Sequence, residues 1–133
     1  MGQIPERYSN RNTVARASGI AAEQLACDYL QRRGLELIEK NYRVKLGEID
    51  LIMRNFSTLI FIEVRYRKNN FFGGALESIT WHKQQRLIRA ATIFSMKSSL
   101  AKSLQSRFDV VTLTGNLQHP EIIWIEDAFR LDS

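Results

Sequence analysis

The periodicity of apolar residues divides the chain into two helical and five extended segments. Ala, Leu, Glu and Gln recur from Thr13 or Ser18 to Arg33, which predicts a helix that ends at Gly34. A second helical stripe follows over residues 80–96. The extended segments are residues 35–45, 48–53, 59–66, 107–112 and 121–126.

The second helix is predicted to begin after a cap at Ser78 or Thr80. Lys83 falls in its first turn, where a cation opposes the helix dipole unless an anion lies nearby. The apolar stripe of this helix, expected to face the core, consists of Trp81, Leu87, Ile88, Ala91 and Phe94.

The order of these segments, α-β-β-β-α-β-β, predicts an α/β domain with a mixed β-sheet flanked by helices. Residues 59–66, 80–96 and 107–112 form a β-α-β unit, so their two strands are expected to pair in parallel through a right-handed crossover. A length of 133 residues suits one domain. Residues 1–12 lack periodicity and are predicted to form a flexible basic arm, which leaves residues 13–133 as the domain.

The two strands of the predicted hairpin, residues 48–53 and 59–66, each carry an acid, Asp50 and Glu63. If the loop between them has an even number of residues, Asp50 lies opposite Glu63 with their Cβ atoms roughly 5 Å apart. Two bare carboxylates on a half-buried sheet face cost stability, and a hard divalent cation with oxygen ligands removes that cost. The pattern therefore raises the hypothesis of a metal site.

Glu23, on the first predicted helix, is a third candidate. Ala26, Cys27 and Leu30 follow it at spacings of three, four and seven residues, on the same helix face. Gly19, one turn earlier, is expected to allow another element to approach closely. Two placements of Glu23 remain open, one toward the sheet and one on the polar border beside an arginine.

An ion-pair network is the alternative explanation of the acids in the hairpin. Arg65 lies two residues after Glu63 on the same predicted strand face, together with Phe61, and Glu48 lies opposite Arg65 as a further partner. Such networks perturb charged groups without performing chemistry. From the pattern alone, the network is favoured over the metal site.

Charge and composition narrow the function classes. The net charge of +5 and a pI near 9.7 arise from basic residues spread along the chain, which suits a polyanionic partner. The single cysteine excludes an internal disulfide, and two histidines argue against a histidine-rich metal site, so any metal is expected to be held by oxygens. The N-terminus has no apolar signal core and no stretch approaches roughly 20 apolar residues, which predicts a cytoplasmic protein without a membrane partner.

Two apolar features have open interpretations. Phe71 and Phe72, directly after the acidic strand, can stack on an unpaired base or pack into the core, and the core is favoured. The apolar strand segment 122–125 is a candidate interface for a homodimer if it is exposed.

Several motifs, in this order and spacing, resemble a known family. The strings GIAAEQLACDYL, GEIDLI, FIEVRYR, FGGALESIT, KQQRLIRAA and RFDVV resemble the YraN family of bacterial proteins. That family is similar in its core to archaeal Holliday junction resolvases and to the PD-(D/E)XK, or restriction-endonuclease-like, fold. The resemblance covers about residues 17–111 and implies a restriction-endonuclease-like sheet.

The resemblance also implies roles for individual residues. Asp50 would be the bridging ligand of Mg²⁺ or Mn²⁺, Glu63 the second carboxylate and the Val64 carbonyl a further ligand, while Glu23 would bind directly or through water. Arg65 occupies the place of the lysine of the superfamily. Because arginine stays protonated, it cannot act as a general base, but it can stabilise negative charge on phosphate, and Lys83 is a candidate replacement cation.

The implied activity is metal-dependent hydrolysis of phosphodiester bonds, with branched or single-stranded DNA as the implied substrate and DNA favoured over RNA. The alternative is a catalytically inactive module that keeps the fold and binds nucleic acid or a protein. In either case basic side chains are predicted to hold the nucleic-acid backbone without reading its sequence. These are Arg43, Lys45, Arg67, Lys68, Arg86 and Arg89.

Overall fold

A computed structural model describes residues 6–69 and 79–130, and for residues 6–13 it describes the backbone alone. Phe71, Phe72 and Ser78 lie outside the described residues, so the predictions for them are not addressed. A short 3₁₀ turn, Leu100–Lys102, precedes the fourth strand. The helices are α1 (Glu6–Arg32) and α2 (Trp81–Lys97), and the strands are β1 (Glu36–Val44), β2 (Gly47–Arg54), β3 (Thr58–Arg67), β4 (Gln105–Thr114) and β5 (Glu121–Phe129).

The five strands form one mixed sheet in the order β1-β2-β3-β4-β5. β3 and β4 pair in parallel, whereas the other three neighbouring pairs are antiparallel. The α2 helix lies in the connection between the parallel strands, as the predicted β-α-β unit requires. The α/β class, the element order and the mixed sheet flanked by helices are thus confirmed.

The two faces of the sheet are covered by different helices. On β3, Ile60 and Ile62 point into a core shared with α1, whereas Leu59 and Phe61 point into a core shared with α2. Alternation along the strand thus buries both faces, which explains why the apolar runs in the sequence are nearly continuous. Each fully buried side chain of this size contributes roughly 1.5–3 kcal/mol.

Close packing of α2 on the sheet depends on Gly47, the first residue of β2. A Cβ atom at Gly47 would overlap the carbonyl oxygen of Arg86 and come 3.1 Å from the amide nitrogen of Ala90. The expectation that Gly19 permits such an approach is wrong for the described residues, because none of their atoms lies within 4 Å of a Cβ built there. The middle of α2, at Arg86 and Ala90, therefore lies directly against the start of β2.

The boundaries of both helices differ from the sequence prediction in informative ways. α1 begins at Glu6, so its backbone continues through most of the segment for which an arm was predicted. Thr80 caps α2 as predicted, its hydroxyl accepting a hydrogen bond from the Lys83 amide at 3.2 Å. Trp81 is 65% exposed and does not belong to the core, contrary to the prediction from the apolar stripe. Within the described ranges, neither helix is long and apolar enough to cross a membrane.

The outer strand pair is joined by a buried acid, Asp109. Its carboxylate accepts hydrogen bonds from the Arg107 guanidinium at 2.9 Å, from the Trp124 indole at 2.9 Å and from the Asp127 amide at 2.9 Å. Arg107 also reaches Glu126 at 2.9 Å. Because the charge and the acceptor capacity of Asp109 are both matched, this acid is a structural link between β4 and β5.

Candidate active site

The candidate site lies where β2 and β3 separate. Their pairing runs from Arg54 opposite Leu59 to Leu51 opposite Ile62, with the even loop that the register prediction required. Beyond that point β2 stays paired with β1 and β3 stays paired with β4. The next two residues, Asp50 and Glu63, therefore sit at the fork, as predicted from the hairpin pattern.

Asp50 closes the fork through its side chain. Its Oδ2 atom accepts a hydrogen bond from the Val64 amide at 2.8 Å, in place of a backbone acceptor from β2. The Asp50 carboxyl is also hydrogen-bonded to the side chains of Glu63 and Glu23. The three acids, from β2, β3 and α1, form one group that we call the acidic cluster. Glu23 is thus directed toward the sheet, which decides between the two placements left open by its helix pattern.

Strict strand alternation fails at Asp50. Ile49 and Ile52 both pack in the core beneath α2, whereas Leu51 packs in the core beneath α1. Ile49 and Ile52 are three residues apart, and on a regular strand they would point to opposite faces. Strict alternation would also put Asp50 on the face of Ile52, and this does not hold here. The irregularity allows Asp50 to meet Glu23 from α1 although Ile52 lies on the other side of the sheet.

The same irregularity appears in β1, at a residue that the sequence reasoning missed. Asn41 lies between Lys40, opposite Leu51, and Tyr42, opposite Ile49, so it is the neighbour of Asp50. Its φ is +51°, in the left-handed region, and its side chain is hydrogen-bonded to Glu23. Asparagine is depleted in strands and tolerates this backbone conformation better than most residues. An asparagine in the middle of a predicted strand was the available signal.

Burial governs the protonation of the acidic cluster. Burial, followed by the charge of Asp50, raises the pKa of Glu63 to about 8, and the same two causes raise the pKa of Glu23 to about 6. Burial also raises the pKa of Asp50, against the opposing effect of the Val64 amide. Below pH 8 the cluster therefore retains at least one proton, which allows its members to hydrogen-bond to one another.

The donor set of the cluster fits a hard divalent cation in its chemistry. Carboxylate oxygens are the ligands that Mg²⁺ and Mn²⁺ prefer, and a cation can replace the protons that now join the acids. In the described part of the chain, no group of three acidic, histidine or cysteine side chains is arranged so that it could hold a metal ion as it stands. Any metal binding at the cluster would therefore require its side chains to reorient.

Two cations flank the acidic cluster. The Arg65 guanidinium lies 3.7 Å from the Glu63 carboxylate, as the ion-pair hypothesis predicted. Burial and the nearby charge of Arg65 lower the pKa of Lys83, while the charges of Glu63 and Asp50 raise it. Lys83 on α2 is thus close enough to the cluster to interact with it electrostatically, and the Thr80 cap fixes its backbone.

Other predicted contacts are distributed differently. Glu48, expected opposite Arg65, forms ion pairs with Arg43 at 3.9 Å and Arg86 at 3.8 Å. Burial is the largest influence on the pKa of Glu23 and raises it, and the charge of Arg43 partly opposes this. The charge of Arg67 lowers the pKa of Lys83. Three of the six predicted nucleic-acid-binding residues therefore lie around the cluster. The remaining three, Lys45, Lys68 and Arg89, are exposed. That any of the six binds nucleic acid stays a prediction.

The sequence matches the model of a family described as "Uncharacterised protein family UPF0102" over residues 22–113. A UPF0102 protein of Nitrosococcus oceani is 51% identical over 118 residues, which are 89% of this chain and 95% of the relative. UPF0102 proteins of Pseudomonas putida and Legionella pneumophila are 46% and 45% identical, over 85% and 87% of this chain and 92% and 97% of theirs. The chain therefore belongs to the UPF0102 family, which is the YraN family that its motifs resemble.

Proposed function

We propose that this protein is a metal-dependent nuclease that hydrolyses phosphodiester bonds. The observation that carries the proposal is the acidic cluster, in which three carboxyl groups from α1, β2 and β3 meet at the fork in the sheet. Bringing these groups together costs stability, and the two flanking cations, Arg65 and Lys83, do not match the charge of three ionised acids. Such an arrangement is typical of a site that binds a cation.

Asp50 and Glu63 are the proposed principal ligands of Mg²⁺ or Mn²⁺, with Glu23 binding directly or through water. The Val64 main chain adjoins Asp50, which supports its carbonyl as an additional ligand. A bound divalent cation would stabilise charge on a phosphate and lower the pKa of a bound water. Basic side chains beside the cluster would orient the phosphate and place positive charge next to its negative charge.

Arg65 and Lys83 are the proposed phosphate-stabilising cations. Arg65 lies 3.7 Å from Glu63, so a phosphate held at that carboxylate through a cation is within reach of the guanidinium. Arginine cannot deprotonate water, so its role is electrostatic. Lys83 approaches from α2 and supplies a second positive charge beside the same acids. The positive surface is extended by the other predicted basic residues, among them Arg43, Arg67 and Arg86. Their proposed contacts are with the phosphate backbone of the nucleic acid, and binding through them would weaken as the salt concentration rises.

A binding module without catalysis is the second candidate, and one observation favours it. In the described residues, every buried side-chain nitrogen or oxygen already has a hydrogen-bond partner. The cluster is therefore satisfied by its own protons and by Arg65. A protein that keeps the nuclease fold and the basic surface but does not cleave is compatible with this arrangement.

Cleavage assays distinguish the two candidates. Labelled single-stranded, duplex, flap and four-way-junction DNA would be incubated with Mg²⁺ or Mn²⁺ and wild type, Asp50→Asn or Glu63→Gln. Glu36→Gln is a matched control, because Glu36 is an exposed acid opposite Arg54 at the far end of the β1–β2 pair. The nuclease proposal expects metal-dependent cleavage by wild type and by the control, and a loss of at least 100-fold in both site variants. If wild type leaves all substrates intact, or the site variants cut as well as wild type, the binding module is the better account.

A further inference from the structure

The middle of β1 changes the face of the sheet to which its side chains point. The Lys40 ammonium donates a hydrogen bond to Gln24 of α1 at 2.7 Å. Tyr42 instead packs against Phe94 of α2, with 5.3 Å between the ring centroids. Residues two apart on a regular strand share a face, so the alternation breaks between Lys40 and Tyr42. The break falls at Asn41, whose φ of +51° lies outside the extended region.

This break in alternation brings the Asn41 side chain to Glu23. Lys40 and Asn41, which are consecutive in β1, thereby both contact α1. Burial is the largest influence on the pKa of Glu23 and raises it to about 6, whereas the hydrogen bond with Asn41 lowers it. A hydrogen bond that favours the charged form of a carboxyl group comes from a donor, so the Asn41 amide donates to the Glu23 carboxylate.

Glu23 therefore has two hydrogen-bonded neighbours of different kinds. Asn41 is the neighbour of Asp50 across the β1–β2 pair, and the Glu23 carboxyl is bonded to the side chains of both. Two acids can hydrogen-bond to each other only through a shared proton, and that proton would be released on metal binding. The N–H donor of Asn41 needs no such proton, so it can direct Glu23 toward the fork whether or not the proton is present.

We propose that Asn41 is a positioning residue that holds the Glu23 carboxylate toward Asp50 and Glu63 for binding of Mg²⁺ or Mn²⁺. The inference rests on the proposed function, because it takes the acidic cluster as the metal site. A metal ligand that is oriented by a hydrogen bond from a neighbouring group binds more tightly than one that must be ordered on binding. Asparagine suits this role, because it donates without adding charge and tolerates a left-handed backbone.

The alternative is that Asn41 only fits β1 to the irregular backbone of β2, and Asn41→Gly separates the two roles. Glycine adopts a positive φ without strain, and the substitution removes the amide. Dissociation constants of Mn²⁺ and Mg²⁺ would be measured by isothermal titration calorimetry, at a fixed pH, for wild type, Asn41→Gly, Glu23→Ala and the double variant. Gln24→Ala is the matched control, because it also removes a neutral side chain that links α1 to β1, in this case through Lys40.

Asn41→Gly is expected to bind Mn²⁺ roughly 10- to 100-fold more weakly than wild type, whereas Gln24→Ala should stay within about twofold of wild type. In the Glu23→Ala background, Asn41→Gly should cause no further loss, because Asn41 acts through Glu23. An affinity that Asn41→Gly leaves unchanged, or reduces by the same factor in both backgrounds, would overturn the inference and leave the nuclease proposal standing. Absence of metal binding by wild type would overturn both. The expected affinities in a protein that cuts no substrate would retain the positioning role and reject the nuclease.

Discussion

Replacing Glu63 with glutamine gives a direct measure of how much the acidic cluster costs the fold. The folded protein holds Glu63 at a pKa of about 8, whereas the ordinary value is 4.5. Between these values the folded state keeps a proton that the unfolded state has released. The stability contributed by that proton is therefore fully present below pH 4.5 and is lost as the pH rises toward 8.

The size of the effect follows from the shift. Each pH unit in this window removes about 1.4 kcal/mol, so raising the pH from 6 to 9 is expected to cost wild type roughly 3 kcal/mol. This corresponds to a decrease in melting temperature on the order of 10 °C for a domain of this size. The pH range of 6 to 9 begins at the pKa of Glu23, which is about 6. The titration of Glu23 therefore contributes little to the change in stability over this range. Glutamine does not titrate, and Glu63→Gln should lose most of this pH dependence.

The assay is urea or thermal unfolding of wild type, Glu63→Gln and the Glu36→Gln control at pH 6, 7, 8 and 9 in EDTA. Titrations remote from the cluster cancel in the difference between wild type and variant, so the difference reports the cluster alone. Mg²⁺ or Mn²⁺ should restore stability to wild type most strongly at high pH, where the metal no longer competes with the proton. A slope in Glu63→Gln equal to that of wild type would refute the assignment of the proton to Glu63. Equal metal stabilisation in both proteins would refute the cluster as the metal site.

Three further substitutions test how the fold supports this site, each by urea unfolding. Gly47→Ala should destabilise the protein by at least about 2 kcal/mol, because the new Cβ atom meets the Arg86 backbone. Gly19→Ala has open space around its Cβ atom and should stabilise α1 by roughly 0.5–1 kcal/mol. Equal effects of the two substitutions would contradict the packing argument. Asn41→Ala should cost roughly 2–3 kcal/mol, because it loses the hydrogen bond to Glu23 and places alanine at a φ of +51°. Asn41→Gly loses only the hydrogen bond and should cost about 1 kcal/mol. The reverse order would reject backbone strain at Asn41. Asp109→Ala should cost roughly 3–5 kcal/mol because it leaves Arg107 without its main partner, and it should leave the pH dependence between 6 and 9 unchanged.

The sequence was sufficient for the parts of the structure that depend on local periodicity. Apolar alternation predicted the hairpin, and the even loop then placed Asp50 and Glu63 at adjacent positions in the register. The helix-strand order predicted the parallel pairing of β3 and β4. These features follow from the side-chain period of each element, which neighbouring residues determine without reference to the rest of the fold.

The remaining features depend on contacts between distant segments. The direction of Glu23 is set by where α1 lies on the sheet, and a helical pattern defines an azimuth only within tens of degrees. Trp81 fits the apolar stripe of α2 by type, yet the helix extends past the sheet at that residue and leaves the ring exposed. Gly47 and Gly19 cannot be distinguished in the sequence, because the close approach of α2 becomes visible only in three dimensions.

Two acidic sites in the described part of the chain, Asp109 and the acidic cluster, differ in how their negative charge is matched. Asp109 has its charge matched by Arg107 and its oxygens filled by Trp124 and the Asp127 amide. At the acidic cluster, three acids share Arg65 and Lys83, and the pKa of Glu63 is raised to about 8 by burial and by Asp50. The left-handed backbone of Asn41 and the broken alternation at Asp50 add cost in the same place. The Asp109 site has backbone irregularities of its own, a φ of +52° at Asp127 and a register shift between Phe108 and Val110. The two sites therefore differ in charge balance and not in backbone irregularity. The unmatched charge of the cluster is therefore the observation that supports the proposal that it binds a cation.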